Sequence, residues 1–222
     1  MSERKRYPAG APCWVETLQP DPRAALDFYA ALLGWEFDGP GPMPGDLAGE
    51  YYVARVNGRD VAGIGSLADM GGPPMAIWST YVRVDSVDEA AERATAAGAS
   101  LLAGPLDALP AGRLAVLLDP VGAAVCVWEA RAREGAQLVN EPGTWAMSSL
   151  HTTDGEGAKA FYGSVFGWQP EAFGAPEAPM TLWRLPGYVG EAAQPIPPDV
   201  VAVMAPTGDA AAAVPPHWNV NL

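Results

Sequence analysis

Positive charge is scarce in this chain. Its 222 residues hold 13 Lys and Arg against 26 Asp and Glu, a net charge of −13. Binding a phosphate backbone needs clustered basic side chains, so a nucleic-acid partner is not expected. Cysteine and histidine are scarcer still, at two each. Cys13 and Cys126 do not make a disulfide framework, which predicts a reduced, cytoplasmic setting. No apolar run approaches the roughly 20 residues of a membrane span. The basic start MSERKRYPAG is not followed by an apolar segment, so neither a secretory leader nor a membrane partner is expected. No G-x-S-x-G marks a nucleophile. Gly63-Ile64-Gly65 is followed by Pro/Gly-rich coil rather than the helix that a dinucleotide loop requires.

What is present is a core-forming composition, 49% hydrophobic and 18% charged. The acidic balance fits plain solubility, and equally a field that favours a cationic ligand. Residues 1–11 read as a loose tail. Cys13 to Leu18 has strand character with imperfect alternation. Asp21 then caps a helix over 21–33, with Pro22 at its first position, apolar Ala25, Phe28, Tyr29 and Leu32 at helical spacing, and Gly34 as the stop. Residues 38–49 read as loop. Strands follow at 50–56 and 60–67 around Asn57-Gly58, a hairpin signal. A Gly/Pro loop at 69–74 leads to a strand at 76–84.

The pattern then restarts. Ser86 and Glu89 have capping-box spacing, Ala90, Ala91, Ala94 and Ala97 form a small-residue face, and Gly98 ends the helix. Strands are expected near 100–103, 113–118 and 123–129, the last two joined by Asp119-Pro120-Val121-Gly122. Residues 130–143 read as a linker between a first module, 12–129, and a second, 144–222. The second opens with a repeat of the first. An offset of 133 residues carries Asp21 to Asp154, Phe28-Tyr29 to Phe161-Tyr162 and Gly34-Trp35 to Gly167-Trp168. Strands near 180–185 and 199–204 would follow, and His217 to Leu222 matches the strand around Trp78. This second module reads as incomplete, so the chain is expected to continue past Leu222.

Paired strand-helix-three-strand units, with Asp21, Ala25, Phe28, Tyr29, Gly34 and Trp35 repeated as Asp154, Ala158, Phe161, Tyr162, Gly167 and Trp168, resemble the vicinal oxygen chelate superfamily. Asp119 to Gly122 matches its D-P-x-G signature. The resemblance implies an α+β fold of tandem βαβββ units, curved mixed sheets around a pocket and helices outside. It is specific for fold and not for activity, because the group includes glyoxalases, extradiol dioxygenases and plain drug binders. Its metal enzymes place His or Gln seven residues before the helix-capping Asp, and Glu seven after the Asp of D-P-x-G. Here those positions, counted from Asp21, Asp85, Asp154 and Asp119, hold Trp14, Trp78, Met147 and Cys126. Three of these are poor ligands for a hard cation, and Cys126 alone does not hold one.

Alternation puts Trp14 and Glu16 on one face, Trp78 and Thr80 on the next first strand's matching face, and Cys126 and Trp128 on the last. The expected site is an aromatic cup with Glu16 as its charge, paired either with a ligand or with an arginine such as Arg83 or Arg113. In the second module Met147, His151 and Trp218 are the candidates, with His217 expected on the face opposite His151. The first functional expectation is metal-independent binding of a small aromatic or cationic metabolite or antibiotic, as in bleomycin-resistance proteins, by a monomer or homodimer with no cofactor. The alternative is an isomerase, lyase or oxygenase, with secondary metabolism as one setting. It would use Glu16 or His151 as base, or a divalent metal held in the second module.

Overall fold

A computed structural model describes residues 4–45, 47–67, 75–175, 179–190, 197–207 and 214–222. Among the described residues, two mixed sheets and three helices make up the fold, as the α+β reading expects. The first unit runs β1 (Pro12–Gln19), α1 (Pro22–Leu33), β2 (Glu36–Pro42), β3 (Glu50–Val56) and β4 (Arg59–Ser66). The second runs β5 (Ile77–Arg83), α2 (Val87–Ala96), β6 (Ser100–Ala108), β7 (Gly112–Leu118) and β8 (Ala124–Ala130). Together they form one eight-stranded sheet in the order β2-β3-β4-β1-β5-β8-β7-β6. Each first strand pairs in parallel with its unit's last strand, and β1 meets β5 antiparallel at the centre. The third unit is β9 (Met147–Thr152), α3 (Gly155–Phe166), β10 (Gln169–Phe173), β11 (Met180–Arg184) and β12 (Val200–Pro206). With β13 (His217–Asn221) it gives a second sheet, β10-β11-β12-β9-β13.

Local chemistry sets the elements. Asp21 and Asp154 accept from the amides of Ala24 and Gly157 at 3.0 and 2.8 Å, so both caps are made. Gly34 and Gly167 close their helices at φ 70° and 75°, a backbone region glycine enters without a side-chain clash. Ser86, not Asp85, caps α2, accepting from the Glu89 amide at 3.3 Å. The imperfect alternation of β1 has a simple cause. Its first six residues are buried on both faces, and Trp14 and Glu16 on one of them line a cavity.

Four expectations are corrected. Residues 38–42 are not loop but part of β2, and β6 continues past 103 to Ala108. Both strands carry Gly-Pro pairs with cis peptides, at 39–40 and 104–105, and both are sheet edges, where a missing amide costs no ladder bond. β10 was not anticipated either, and it too is an edge strand containing a proline. Finally, residues 4–11 are not loose. Tyr7 is buried and donates to the Ala136 carbonyl at 2.7 Å, and Ala11 is fully enclosed. The loop expected at 69–74 lies outside the described residues.

The halves hold each other through the same pair of groups used twice. Trp35 Nε1 donates to the Gly143 carbonyl and Trp168 Nε1 to the Gly10 carbonyl, each at 2.6 Å. These four residues obey the 133-residue offset. Each glycine precedes the first strand of the opposite half. A Cβ on Gly10 would lie 2.7 Å from the Phe166 carbonyl oxygen, and one on Gly143 would lie 2.9 Å from that of Leu33. The third unit adds a buried chain across the seam: Trp218 Nε1 donates to Tyr162 Oη at 2.8 Å, and Tyr162 Oη donates to Asp119 at 2.7 Å. Among the described residues no helix is long and apolar enough to cross a membrane.

Candidate functional site

The eight-stranded sheet curls around a cavity of about 680 Å³. Its floor comes from β1, β3, β5 and β8. Its rim comes from the segment after β2 and from β6, and the Gly45 amide closes the rim by donating to the Asp107 carbonyl at 2.8 Å. Glu16 sits on the floor and is only 7% exposed. Its two carboxyl oxygens accept from Tyr81 Oη at 2.5 Å and Tyr51 Oη at 2.9 Å. Tyr51 Oη in turn accepts from Trp14 Nε1 at 3.1 Å. Burial pushes the Glu16 carboxyl above its ordinary value, and the two tyrosine hydrogen bonds offset this only in part. Tyr51 and Tyr81 are themselves pushed well up by burial and by the nearby carboxyl, so both remain neutral donors.

Two glycines make room for this floor. A Cβ on Gly63 would stand 2.0 Å from Tyr51 Oη, and one on Gly112 would stand 2.6 Å from the Trp128 ring. Gly63 is thus neither turn nor nucleotide loop; it is the space in which Tyr51 lies. Trp128 Nε1 donates to the Arg133 carbonyl at 2.9 Å, and the Arg133 guanidinium lies over the Trp14 ring at 5.5 Å. Arg133 is tied to Asp60, which also receives Arg55 at 2.8 Å.

Of the residues singled out in the sequence, Trp14, Glu16 and Trp128 line this cavity together. Cys126 lies on the same face, paired in register with Tyr81, but is sealed beneath the floor. Trp78 and Thr80 face the other way. β5 is antiparallel to β1 with Trp14 opposite Tyr81 and Thr17 opposite Trp78, so Ser79 and Tyr81 share the face of Trp14 and Glu16. The true cap explains the slip: seven residues before Ser86 is Ser79. Trp78 instead packs edge-on to Tyr29 at 5.8 Å, and Thr80 Oγ1 meets Ser148 Oγ at 2.7 Å between the sheets.

Met147, His151 and Trp218 lie in the second sheet, away from the cavity lining. Trp218 is core. His217 pairs directly with His151, and the two rings lie 5.2 Å apart and nearly parallel, so the expectation of opposite faces is overturned. Burial and the neighbouring His217 lower the His151 pKa. Neither expected arginine reaches Glu16. Arg83 binds Asp85, while Arg113 binds Asp88 at 2.6 Å and Asp107 at 3.1 Å. Tyr51, Tyr81, Arg133 and the rim residues were missed in the sequence. The Ser86 cap was the signal for Tyr81, and Gly63 was the signal for a bulky neighbour.

The glyoxalase-like domain family matches residues 14–128. The chain belongs to that family. It thereby falls in the vicinal oxygen chelate superfamily. "Putative glyoxylase CFP32" of Mycobacterium bovis is 40% identical over 170 residues, 75% of this glyoxalase-like chain and 64% of that protein. "Anthracycline biosynthesis protein DnrV" of Streptomyces peucetius is 33% identical, covering 97% of this chain and 77% of its own. The Mn(II)-bound glyoxalase of Novosphingobium aromaticivorans shares the fold at a TM-score of 0.61 and 18% identity, over 90% of this chain and 62% of that one. The glyoxalase-like chain therefore spans under two thirds of the mycobacterial relative and of the manganese enzyme.

The donor set does not fit a divalent metal of the kind that the manganese relative carries. The positions that the superfamily uses for ligands hold Trp14, Ser79 and Cys126 in the first module and Met147 in the second. Glu16 alone supplies too few ligands, and each of its oxygens already accepts from a tyrosine hydroxyl. Among the described residues no three His, Cys, Asp or Glu side chains converge on a point that would hold a metal. Burial pushes both thiols far above the ordinary cysteine value. Cys13 and Cys126 are expected to resist a disulfide reagent such as DTNB in native buffer and to react fully in denaturant. Prompt labelling of the folded protein would show that the floor is open.

Proposed function

We propose that this protein binds a flat aromatic small molecule bearing a hydroxyl or ammonium donor, without a metal, in the cavity of its first module. The observation that carries the reading is the Glu16 carboxyl, buried among Trp14, Tyr51, Tyr81 and Trp128 and fixed by two tyrosine hydroxyls. Each carboxyl oxygen keeps a lone pair for a ligand donor, and the aromatic rings supply apolar faces for a planar body. The names of DnrV and of the similar Streptomyces protein DauV, both for anthracycline biosynthesis, support a fused-ring ligand of secondary metabolism. The protein would act on it in the cytoplasm, as monomer or homodimer, by sequestration as in antibiotic resistance.

The test is a titration with 1,8-dihydroxyanthraquinone, followed by quenching of tryptophan fluorescence. Saturable one-site binding is expected, and Trp14→Ala should raise Kd at least about tenfold, a loss of about 1.4 kcal/mol. An unchanged Kd in Trp14→Ala would sink the reading. A second reading, an enzyme of the same superfamily, draws on Glu16 as well. A buried carboxyl with a raised pKa is the group such a site uses to take or give a proton. Conversion of the bound quinone to a new species, seen by mass spectrometry and abolished in Glu16→Gln, would favour it over sequestration.

A further inference from the structure

Part of the cavity wall comes from outside residues 14–128, the stretch that matches the family. Arg133 holds both tryptophans of the cup. Its carbonyl accepts from Trp128 Nε1 at 2.9 Å, and its guanidinium lies over the Trp14 ring at 5.5 Å. Arg133 is itself fixed. Its side chain is paired with Asp60, which Arg55 also holds at 2.8 Å, and its amide donates to the Ala111 carbonyl at 3.0 Å. Only 29% of the side chain is exposed, so solvent shields this charge less than it would a surface arginine.

The net charge of −13 favours a cation approaching the chain as a whole. The cavity has a different balance. Among the described residues, the charged side chains that line it are Glu16, Asp107 and Arg133. Asp107 stands at the rim, 61% exposed, and already accepts from Arg113 Nε at 3.1 Å. Glu16 already accepts from the Tyr51 and Tyr81 hydroxyls. An ammonium brings three donors and a charge, and burying it is costly unless the charge is paired and every N–H is bonded. A hydroxyl brings a single donor and no charge. The Trp14 ring, moreover, already carries the Arg133 guanidinium, which repels a second cation. The reach of that charge shows at Tyr51. Burial raises its hydroxyl well above the ordinary value, and Arg133 is among the influences that oppose the rise.

We propose that Arg133 determines the specificity of the cup by excluding cations, so that the ligand is an uncharged hydroxylated aromatic with a hydroxyl donated to Glu16. This rests on the binding reading given above and chooses between the two donors, hydroxyl and ammonium, that it allows. The hydroxyl fills a remaining lone pair on Glu16 without bringing a like charge up to Arg133. A guanidinium keeps its charge at every pH at which the protein is folded, so the exclusion is permanent.

The experiment titrates two probes of nearly equal size into the whole protein. One is 1,8-dihydroxyanthraquinone carrying a 3-hydroxymethyl group, and the other is the same ring system carrying a 3-aminomethyl group, an ammonium at neutral pH. The hydroxymethyl probe is expected to bind about tenfold or more tighter, a ratio that reads charge and not size. Arg133→Gln should bring that ratio toward one, chiefly by tightening the ammonium probe. Arg133→Lys keeps the charge and should keep most of the ratio. Arg133→Met, which leaves an apolar stem near Trp14, provides the test if Arg133→Gln does not fold. A ratio under about threefold in the unaltered protein overturns the proposal while leaving the aromatic cup in place. So does a ratio unmoved by loss of the charge, or one lost equally in Arg133→Lys. Failure of both probes to bind overturns the cup and the exclusion together.

Discussion

Trp168→Ala is expected to lower stability by about 3–5 kcal/mol, the range for truncating a fully packed large aromatic. For a chain of this size, that is a fall in Tm of the order of 10 °C. Trp168 is 2% exposed, stacks on Tyr162 at 5.3 Å and lies 5.8 Å from Trp183. Its removal leaves a cavity and strips the Gly10 carbonyl of its donor at the same time. Trp168→Phe separates the two effects. It keeps most of the ring and loses the hydrogen bond, so it should cost about 1–3 kcal/mol, the penalty for one buried unsatisfied group. Thermal melts followed by near-ultraviolet circular dichroism measure both. A change of less than about 1 kcal/mol for the alanine variant would mean that the seam between the halves is not packed as described.

Glu16→Gln is expected to weaken binding of 1,8-dihydroxyanthraquinone about 10- to 100-fold, because a hydrogen bond to a charged group contributes about 1.5–3 kcal/mol. It should also flatten the pH dependence. The sign follows from burial. The Glu16 carboxyl in the folded protein holds its proton more tightly than the ordinary Glu value of about 4.3. Below that raised value the acceptor is protonated and the ligand binds weakly; affinity grows as pH rises through it. Folding responds in the opposite sense. The folded state holds the proton more tightly than the unfolded chain, so this group favours folding most at low pH. That contribution is lost as pH rises from the ordinary value through the raised one. Titrations between pH 4 and 8 check both trends, and a variant whose Kd tracks pH as the unaltered protein's does would assign the titration elsewhere.

Much of the fold was legible because the chain states it twice. Asp21 and Asp154, Gly34 and Gly167, and the aromatic pairs between them fix two helices and their spacing from local rules alone. Edge strands were not legible. β2 and β10 contain prolines, and an edge position relaxes the hydrogen-bond demand by which proline is ordinarily read as a breaker. The site was legible only where alternation could be counted from a secure anchor. Counting from Asp21 put Trp14 and Glu16 on the cavity floor. Counting from Asp85 instead of the capping Ser86 shifted β5 by one residue, and on a strand one residue is the whole difference between the two faces. Tyr51 and Arg133 approach Glu16 and Trp14 from 35 and 119 residues away in the chain, distances across which no periodicity speaks.

The paired hydrogen bonds from Trp35 to Gly143 and from Trp168 to Gly10 also constrain how such a chain can be altered. Each half finishes the other's helix-end tryptophan with its own backbone, so the repeat is an exchange rather than a stack. A fragment cut between the halves carries away the acceptor that its former neighbour needs and exposes an indole built for burial. Recombination with a related protein meets the same condition: the junction must keep Gly10 together with Trp168, and Trp35 together with Gly143. The divisible parts of this molecule are therefore not the stretches that look alike in its sequence.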